Sequence, residues 1–212
     1  MIELLFSPKQ GERKPWQMFF VGLFYASVSL LLVSFVFSQD GVLKNYGGML
    51  VVLLTVISSL PFMYYLIKGE ENKDVEITKG GRLLREHMKA TLAFMFLFCG
   101  FVVAFSFWYI VLPSQVGVNF NAQVEVFCAI NNPHNYEYCV SQYLDSAITG
   151  AVSASDMVVG IFSNNIYVLI FTILFSLAFG AGAIFILAWN ASVIAVAIGI
   201  LAGKVTRIPW GF

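Results

Sequence analysis

Charged residues are scarce in this chain: they make up 11% of its 212 residues, and the twelve Lys and Arg balance the twelve Asp and Glu. Soluble domains carry about 25% charged residues. Hydrophobic residues account for 59% of the chain and the mean hydropathy is +0.81. A soluble fold could not cover so much apolar surface, and the zero net charge gives no basis for binding nucleic acid. The composition predicts an all-α, polytopic transmembrane helical bundle.

The apolar stretches also lack ionisable side chains. No Lys, Arg, Asp, Glu or His interrupts the apolar cores of the predicted spans, although proton relays, ion-coupled carriers and intramembrane hydrolases usually depend on one. The sequence has no Walker motif, no His-Glu-x-x-His and no Gly-x-Ser-x-Gly. We therefore expect no catalytic residue, no metal site and no cofactor, and we do not expect an enzyme.

Five apolar segments follow one another along the chain. A hydrocarbon core about 30 Å thick takes about 20 helical residues, and four segments meet that length: about 17–37, 48–67, 91–112 and 166–188. We expect Pro61 to kink the second span and Pro113 to end the third. The fifth segment, about 191–208, has too short an uncharged core to cross alone. Three alternatives remain: a half-helix buried among its neighbours, a fragment of a natural protein that continues beyond Phe212, or a crossing completed by residues 205–210. We favour the first two, which gives four full spans plus a fifth short or half helix.

The basic residues predict the orientation. Nine of the twelve Lys and Arg precede the first span or lie between the second and third, whereas segment 113–165 contains none. Since cytoplasmic loops carry the excess of Lys and Arg, we expect a multi-pass protein of the cell membrane with a cytoplasmic N-terminus, a cytoplasmic loop at 69–89 and segment 113–165 outside. Arg82, Arg85 and Lys89 recur at helical spacing, so they are candidates for binding lipid headgroups of the bilayer. The alternative is an ordinary positive flank.

Two of the three cysteines lie in the predicted outer segment. Cys128 and Cys139 bracket a turn-rich stretch, and an oxidising exterior favours a disulfide between them. The alternative is a metal site that adds His134, but it lacks a fourth ligand at the usual spacing. The rest of this segment, residues 140–161, is mildly amphipathic. It predicts either an interfacial helix or a solvated cap over the bundle.

The longest uncharged stretch, Met157 to Gly203, contains three asparagines: Asn164, Asn165 and Asn190. Amides in lipid cost free energy unless they are hydrogen-bonded. One interpretation is structural: Asn164 or Asn165 caps the start of the fourth helix, and Asn190 ends that helix and starts the next. The other is that these amides line a polar cavity.

Small residues four apart occur in the same stretch, namely Ser176 with Gly180, Ala178 with Gly182 and Gly199 with Gly203. Such pairs let helix backbones approach closely. They indicate close packing, either inside one chain or along the seam of a homo-oligomer.

The stretch from Phe162 to Gly199 resembles the stage II sporulation protein M family. The similarity rests on Asn165, on the glycine stretch Gly180-Ala181-Gly182, on Asn190 and on Gly199, while Ala191 stands where the family usually has glycine. The family also continues with a Pro-His-Gly segment that this chain does not reach. The resemblance implies a multi-span membrane scaffold without established catalysis, which works with membrane or cell-envelope protein partners such as cell-wall hydrolases.

Two functions remain open. The first is a non-enzymatic integral membrane scaffold or membrane-remodelling component that associates with itself. The alternative is a permease or channel subunit for a neutral or weakly polar solute, because broken helices often frame substrate sites in transporters. Asn165 and Asn190 would then line the pathway.

Overall fold

The computed structural model of the protein describes residues 14–76, 80–144, 166, 170 and 182–206. Every regular element within those ranges is helical, so the all-α prediction is confirmed. Within the same ranges, four helices are long and apolar enough to cross a membrane: Gln17–Phe37, Leu43–Leu66, His87–Val111 and Gly182–Gly203.

Seven α-helices, labelled in chain order, make up the described residues. Helix α1 covers Gln17–Leu32 and continues as a π-helical turn, Val33–Phe37. A 3₁₀ turn, Leu43–Tyr46, leads into α2. The remaining helices are α2 (Gly47–Glu76), α3 (Gly80–Val111), α4 (Val116–Asn119), α5 (Asn121–Asn131), α6 (Tyr136–Leu144) and α7 (Gly182–Thr206).

The first three predicted spans correspond to the apolar parts of α1, α2 and α3, and most of the connecting segment predicted at 69–89 is helical. Helix α2 continues past Pro61 to Glu76, and α3 already begins at Gly80, so only 77–79 lie outside the described helices. The physical reason is helix propensity. Residues 69–89 are rich in Glu, Lys, Arg and Leu, which are good helix formers, and the two helices propagate beyond their apolar parts.

The predicted break at Asn190 is wrong. Helix α7 runs through it without interruption, and the Asn190 Nδ2 donates to the Ile186 carbonyl oxygen one turn earlier, at 2.9 Å. The amide thus bonds within the helix instead of ending it. The described part of the predicted fifth segment, residues 191–206, is therefore the continuation of α7 rather than a separate half-helix. Of the span predicted at 166–188, only Ile166, Ile170 and residues 182–188 belong to the described part of the chain.

The four long helices form a ring in the order α1, α3, α7, α2. Large side chains fill its centre, among them the fully buried Leu97, Phe101 and Phe105 of α3 and Phe62 of α2. Helices α1 and α3 come closest where Gly22 faces Gly100. A Cβ atom on Gly100 would lie 3.1 Å from the Gly22 Cα and against the Phe19 carbonyl oxygen, so the two backbones touch directly.

Helix α7 runs parallel to α3. Gly199 lies against the Tyr109 ring near the end of α3, and the earlier α7 residues from Ile184 onward are buried in the same core.

We call the side of the bundle where α1 and α3 end the cap side, and the side where α2 ends and α3 begins the hairpin side. Lys14 therefore lies at the hairpin side and Thr206 at the cap side.

Candidate functional site

Residues 113–144, which follow α3, pack on the bundle. Pro113 ends α3 and opens a 3₁₀ turn, Pro113–Gln115, which is followed by α4, α5 and α6. We call residues 113–144 the cap. Half of the predicted outer segment 113–165 is thus folded helix, and residues 145–165 lie outside the description. The predicted interfacial helix at 140–161 is described only to Leu144, as the last turn of α6.

A disulfide joins α5 to α6 inside the cap. Cys128 and Cys139 are both fully buried and bonded, with their Cα atoms 5.7 Å apart. The prediction of this disulfide is confirmed. Phe127 and Tyr143 pack edge to face beside it, with ring centroids 6.0 Å apart. The bond leaves neither sulfur free to bind a metal, and no group of three metal-binding side chains occurs in the described ranges.

Two cap amides bind the start of α2. The Asn121 Oδ1 accepts a hydrogen bond from the Gly48 N–H at 3.1 Å, and its Nδ2 donates to the Asn45 carbonyl oxygen. The Gln123 Nε2 donates to the Gly48 carbonyl oxygen at 2.9 Å. The first N–H groups of a helix have no partner within it. The cap thus supplies one partner from a residue 73 positions away.

Glycine is required at Gly47, where the backbone of the cap meets α2. A Cβ atom on Gly47 would collide with the Val118 carbonyl oxygen of the cap, so a larger residue would push the cap backbone away from the helix end. A Cβ atom on Gly48 would lie against the Gln123 Oε1 and 2.7 Å from the Asn121 Oδ1. These are side-chain atoms, so a larger residue at Gly48 would displace the two amides that bond there.

A third amide ties the cap to α1. The Asn119 Nδ2 donates to the Ser34 Oγ at 2.6 Å, and both residues are buried. Ser34 belongs to the π-helical turn Val33–Phe37. Such turns are rare and occur mostly where a helix is locally adapted to a specific contact. The cap is therefore fixed to the ends of two different spans.

The interior of the cap contains buried amide groups. Gln123 is fully buried, and its Oε1 has no hydrogen-bond partner. Three other cap residues also have one buried amide atom without a partner: Gln115 Oε1, Asn119 Oδ1 and Gln142 Nε2. Amides neither gain nor lose protons near neutral pH, so these four groups offer hydrogen bonds whose capacity does not change with pH.

The outer surface of the cap is acidic and aromatic. Residues 113–144 contain no Lys or Arg, while Glu125, Glu137, Tyr136 and Tyr138 are exposed. Partial burial and, secondarily, the nearby Glu125 carboxylate raise the pKa of Tyr136. At the edge of the same side, the N–H groups of Leu43 and Val42 lower the pKa of Asp40 by hydrogen bonding to its carboxylate at 2.8 Å.

The described residues include only part of the predicted polar motif. Asn164, Asn165 and Gly180 lie outside the described residues. Gly182 opens α7, Asn190 lies near its middle, and Gly199 packs against Tyr109 of α3. The Gly199 contact lies inside one chain.

The predicted headgroup site is only partly described. Arg82, Arg85 and Lys89 lie on the α3 backbone at the hairpin side. The side chains of Arg82 and Arg85 are outside the description, and that of Lys89 is half-buried.

Sequence reasoning missed the residues that fix the cap. Asn119, Asn121 and Gln123 have the appearance of ordinary loop amides in the sequence. The available signals were the Gly47-Gly48 pair at the start of the second span and three amides at alternate positions just after the third span. Both are typical of a close backbone approach with side-chain hydrogen bonds, but neither identifies its partner.

No family model, curated protein or solved structure matches this chain.

Proposed function

We propose that the protein is a non-enzymatic scaffold of the cell membrane, whose cap presents a fixed docking surface for a cell-envelope protein. The observation that carries this proposal is the attachment of the cap to the bundle. Asn119, Asn121 and Gln123 bind the ends of α1 and α2. A transmembrane carrier must move its helices relative to one another, whereas these contacts hold two helix ends together.

The docking surface is rigid and carries tyrosine and carboxylate side chains. Connecting segments usually move independently of the elements that they join. The cap has instead a disulfide and hydrogen bonds to two spans. A surface held in one conformation loses little entropy on binding. Its Tyr138 is 58% exposed, and tyrosines are enriched in protein interfaces. With carboxylates but no Lys or Arg, this surface fits a partner with a basic patch.

The proposed orientation has the cap outside and the hairpin side in the cytoplasm. Disulfides persist in oxidising compartments, and the cap contains one. At the other side, Lys68 lies over the Tyr64 ring, 5.7 Å from its centroid, and Trp16 is exposed beside the start of α1. Aromatic and basic side chains are typical anchors of a membrane–water interface.

Cysteine labelling tests the orientation. Tyr138→Cys and Lys68→Cys are each placed in a Cys99→Ser background, because Cys99 is a free and exposed thiol. We expect a membrane-impermeant maleimide to label the cap variant in intact cells and the Lys68 variant only after permeabilisation. The reverse pattern would refute the orientation.

Site-specific photocrosslinking tests the scaffold role. A photoreactive amino acid replaces Tyr138 in the cap or, as a matched control, Phe107, which is 53% exposed on α3. We expect discrete protein adducts from position 138 that weaken when Gln123→Leu removes the bond between the cap and Gly48, and only lipid adducts from position 107. If both positions give the same products, the cap is not a docking surface.

A permease is the second candidate, and one observation favours it. The hydroxyl groups of Ser29 on α1 and Ser106 on α3 are buried without a hydrogen-bond partner, and polar groups inside a bundle can mark a solute path. Flux of small neutral solutes into liposomes that contain the purified protein distinguishes the two functions. The scaffold predicts no flux above that of protein-free liposomes. Solute-dependent flux that Asn190→Leu abolishes would favour the permease.

A further inference from the structure

One side of α7 is apolar except for a single amide. Along this side the exposed or half-exposed residues at helical spacing are Ala183, Leu187, Asn190, Ile194, Ile198 and Leu201. We call this row the Asn190 stripe. Other rows of α7, such as the one with Ala188, Ala191 and Ala195, are fully buried in the bundle. The stripe therefore faces away from the four-helix core.

Asn190 is expected to lie inside the hydrocarbon layer. It precedes Lys204, the first charged residue after the uncharged stretch, by 14 residues, which is about 21 Å along the helix at 1.5 Å per residue. A hydrocarbon core is about 30 Å thick, so the amide is well away from the cap-side surface. Water is absent there, and polar groups must find partners in protein.

The amide is only partly satisfied within its own chain. Its one hydrogen bond in the described structure is donated by Nδ2 to the Ile186 carbonyl oxygen of the same helix. One N–H and the Oδ1 remain, and its neighbours on the stripe, Leu187 and Ile194, are aliphatic. Leaving these two groups without hydrogen bonds in lipid costs free energy. A partner helix that bonds to them would offset this cost.

We propose that the Asn190 stripe is a self-association surface, on which α7 of a second copy of this chain packs. Each Asn190 has one donor and one acceptor left, so two amides related by a two-fold axis normal to the membrane complete each other with two hydrogen bonds. Two copies inserted in the same orientation meet at the same depth. A different partner would have to provide both groups at that one depth, whereas a second copy necessarily does.

The dimer adds to the proposed scaffold function. Its consequence for partner binding rests on that proposed function, but the pairing of the helices does not. With α7 ending at the cap side, pairing of two α7 helices places two caps side by side. The scaffold would then hold two partner molecules at a fixed separation. The pairing itself depends on α7 alone, so its test does not involve the cap.

Fluorescence energy transfer in liposomes tests the pairing. Donor- and acceptor-labelled copies are mixed at rising protein-to-lipid ratios for the wild type, Asn190→Leu and Asn190→Gln. Interhelical hydrogen bonds of this kind stabilise pairs modestly, so we expect Asn190→Leu to raise the dimer dissociation constant about tenfold. Asn190→Gln keeps the amide and should retain most of the association. No association of the wild type, or equal association of all three, refutes the proposal.

Disulfide crosslinking locates the surface without altering Asn190. In a Cys99→Ser background, Ile194→Cys should crosslink between copies under mild oxidation, whereas Val103→Cys, 45% exposed on α3, should not. Crosslinking from Val103→Cys alone would place the interface elsewhere. A double variant, Ile194→Cys with Ile170→Cys, tests whether another part of the same chain packs on the stripe. A disulfide within a single chain would show that it does, and the proposal would then fail. The adducts from Tyr138 would be unaffected, so this failure is distinguishable from failure of the scaffold function.

Discussion

Replacing Gly100 by alanine should force apart the two helices that pack most closely. The added Cβ would lie 2.9 Å from the Leu23 nitrogen and closer still to the Phe19 carbonyl oxygen, both backbone atoms of α1. Carbon–oxygen contacts normally settle at about 3.3–3.6 Å, and no side chain can move aside to relieve these contacts. Helices α1 and α3 must therefore separate by roughly 1 Å. Such overpacking costs about 1–3 kcal/mol.

The matched control is Gly203→Ala. A Cβ atom on Gly203, also within a helix, meets nothing within 4 Å. Both substitutions gain the same helix propensity, about 1 kcal/mol, so the difference between the two variants isolates the cost of the crossing. Reversible unfolding in lipid bicelles should show Gly100→Ala less stable than Gly203→Ala by about 1–3 kcal/mol. Equal stabilities would show that the backbones are not in contact and refute the reasoning.

Two further predictions concern the cap side. Asn121→Ala removes two hydrogen bonds to the start of α2 and should cost about 1–3 kcal/mol, with faster amide exchange in the cap and unchanged exchange in the spans. Asn131→Ala, whose amide bonds only to its own helix, is the control, and equal effects would contradict the prediction. Because the pKa of Asp40 is lowered, its turn is stabilised above the unfolded value of about 3.9 and loses that stabilisation as pH falls through the folded pKa. The amide NMR shifts of Val42 and Leu43 should therefore be constant near neutral pH and change below about pH 4, a change that Asp40→Asn should abolish.

The sequence predicted those parts of the fold that depend on local hydrophobic length. The spans of α1, α2 and α3 follow from uncharged runs of about 20 residues, and the disulfide follows from two cysteines in one segment. The ends of the helices were harder to predict. The charged residues of 69–89 indicate a soluble loop, yet they are also good helix formers, and α2 and α3 continue through most of them.

The cap could not be predicted from the sequence, because its contacts join residues far apart in the chain. Asn121 binds Gly48 across 73 positions, and Asn119 binds Ser34 across 85. No local pattern states which amide meets which helix end. Asn190 shows that a local pattern can also be overridden by the residues around it. An asparagine often ends a helix because its side chain competes for backbone groups, but here the surrounding Ala, Ile and Trp residues continue α7 and the amide bonds inside it.

The hydrogen bonds of Gly48 have a consequence for the order in which the protein is made. The groups that receive the cap, at Ser34, Asn45 and Gly48, belong to the first two spans, and the cap itself follows the third. During synthesis the receiving site is therefore already in the membrane when the cap emerges. The cap can dock onto a finished surface, and the disulfide cannot form before Cys139, which follows all of these residues in the chain, has been translated. If either of the first two spans fails to insert, the cap should therefore lack the groups to which it binds. It would then be exposed to proteases, and its cysteines could form disulfides with the wrong partners.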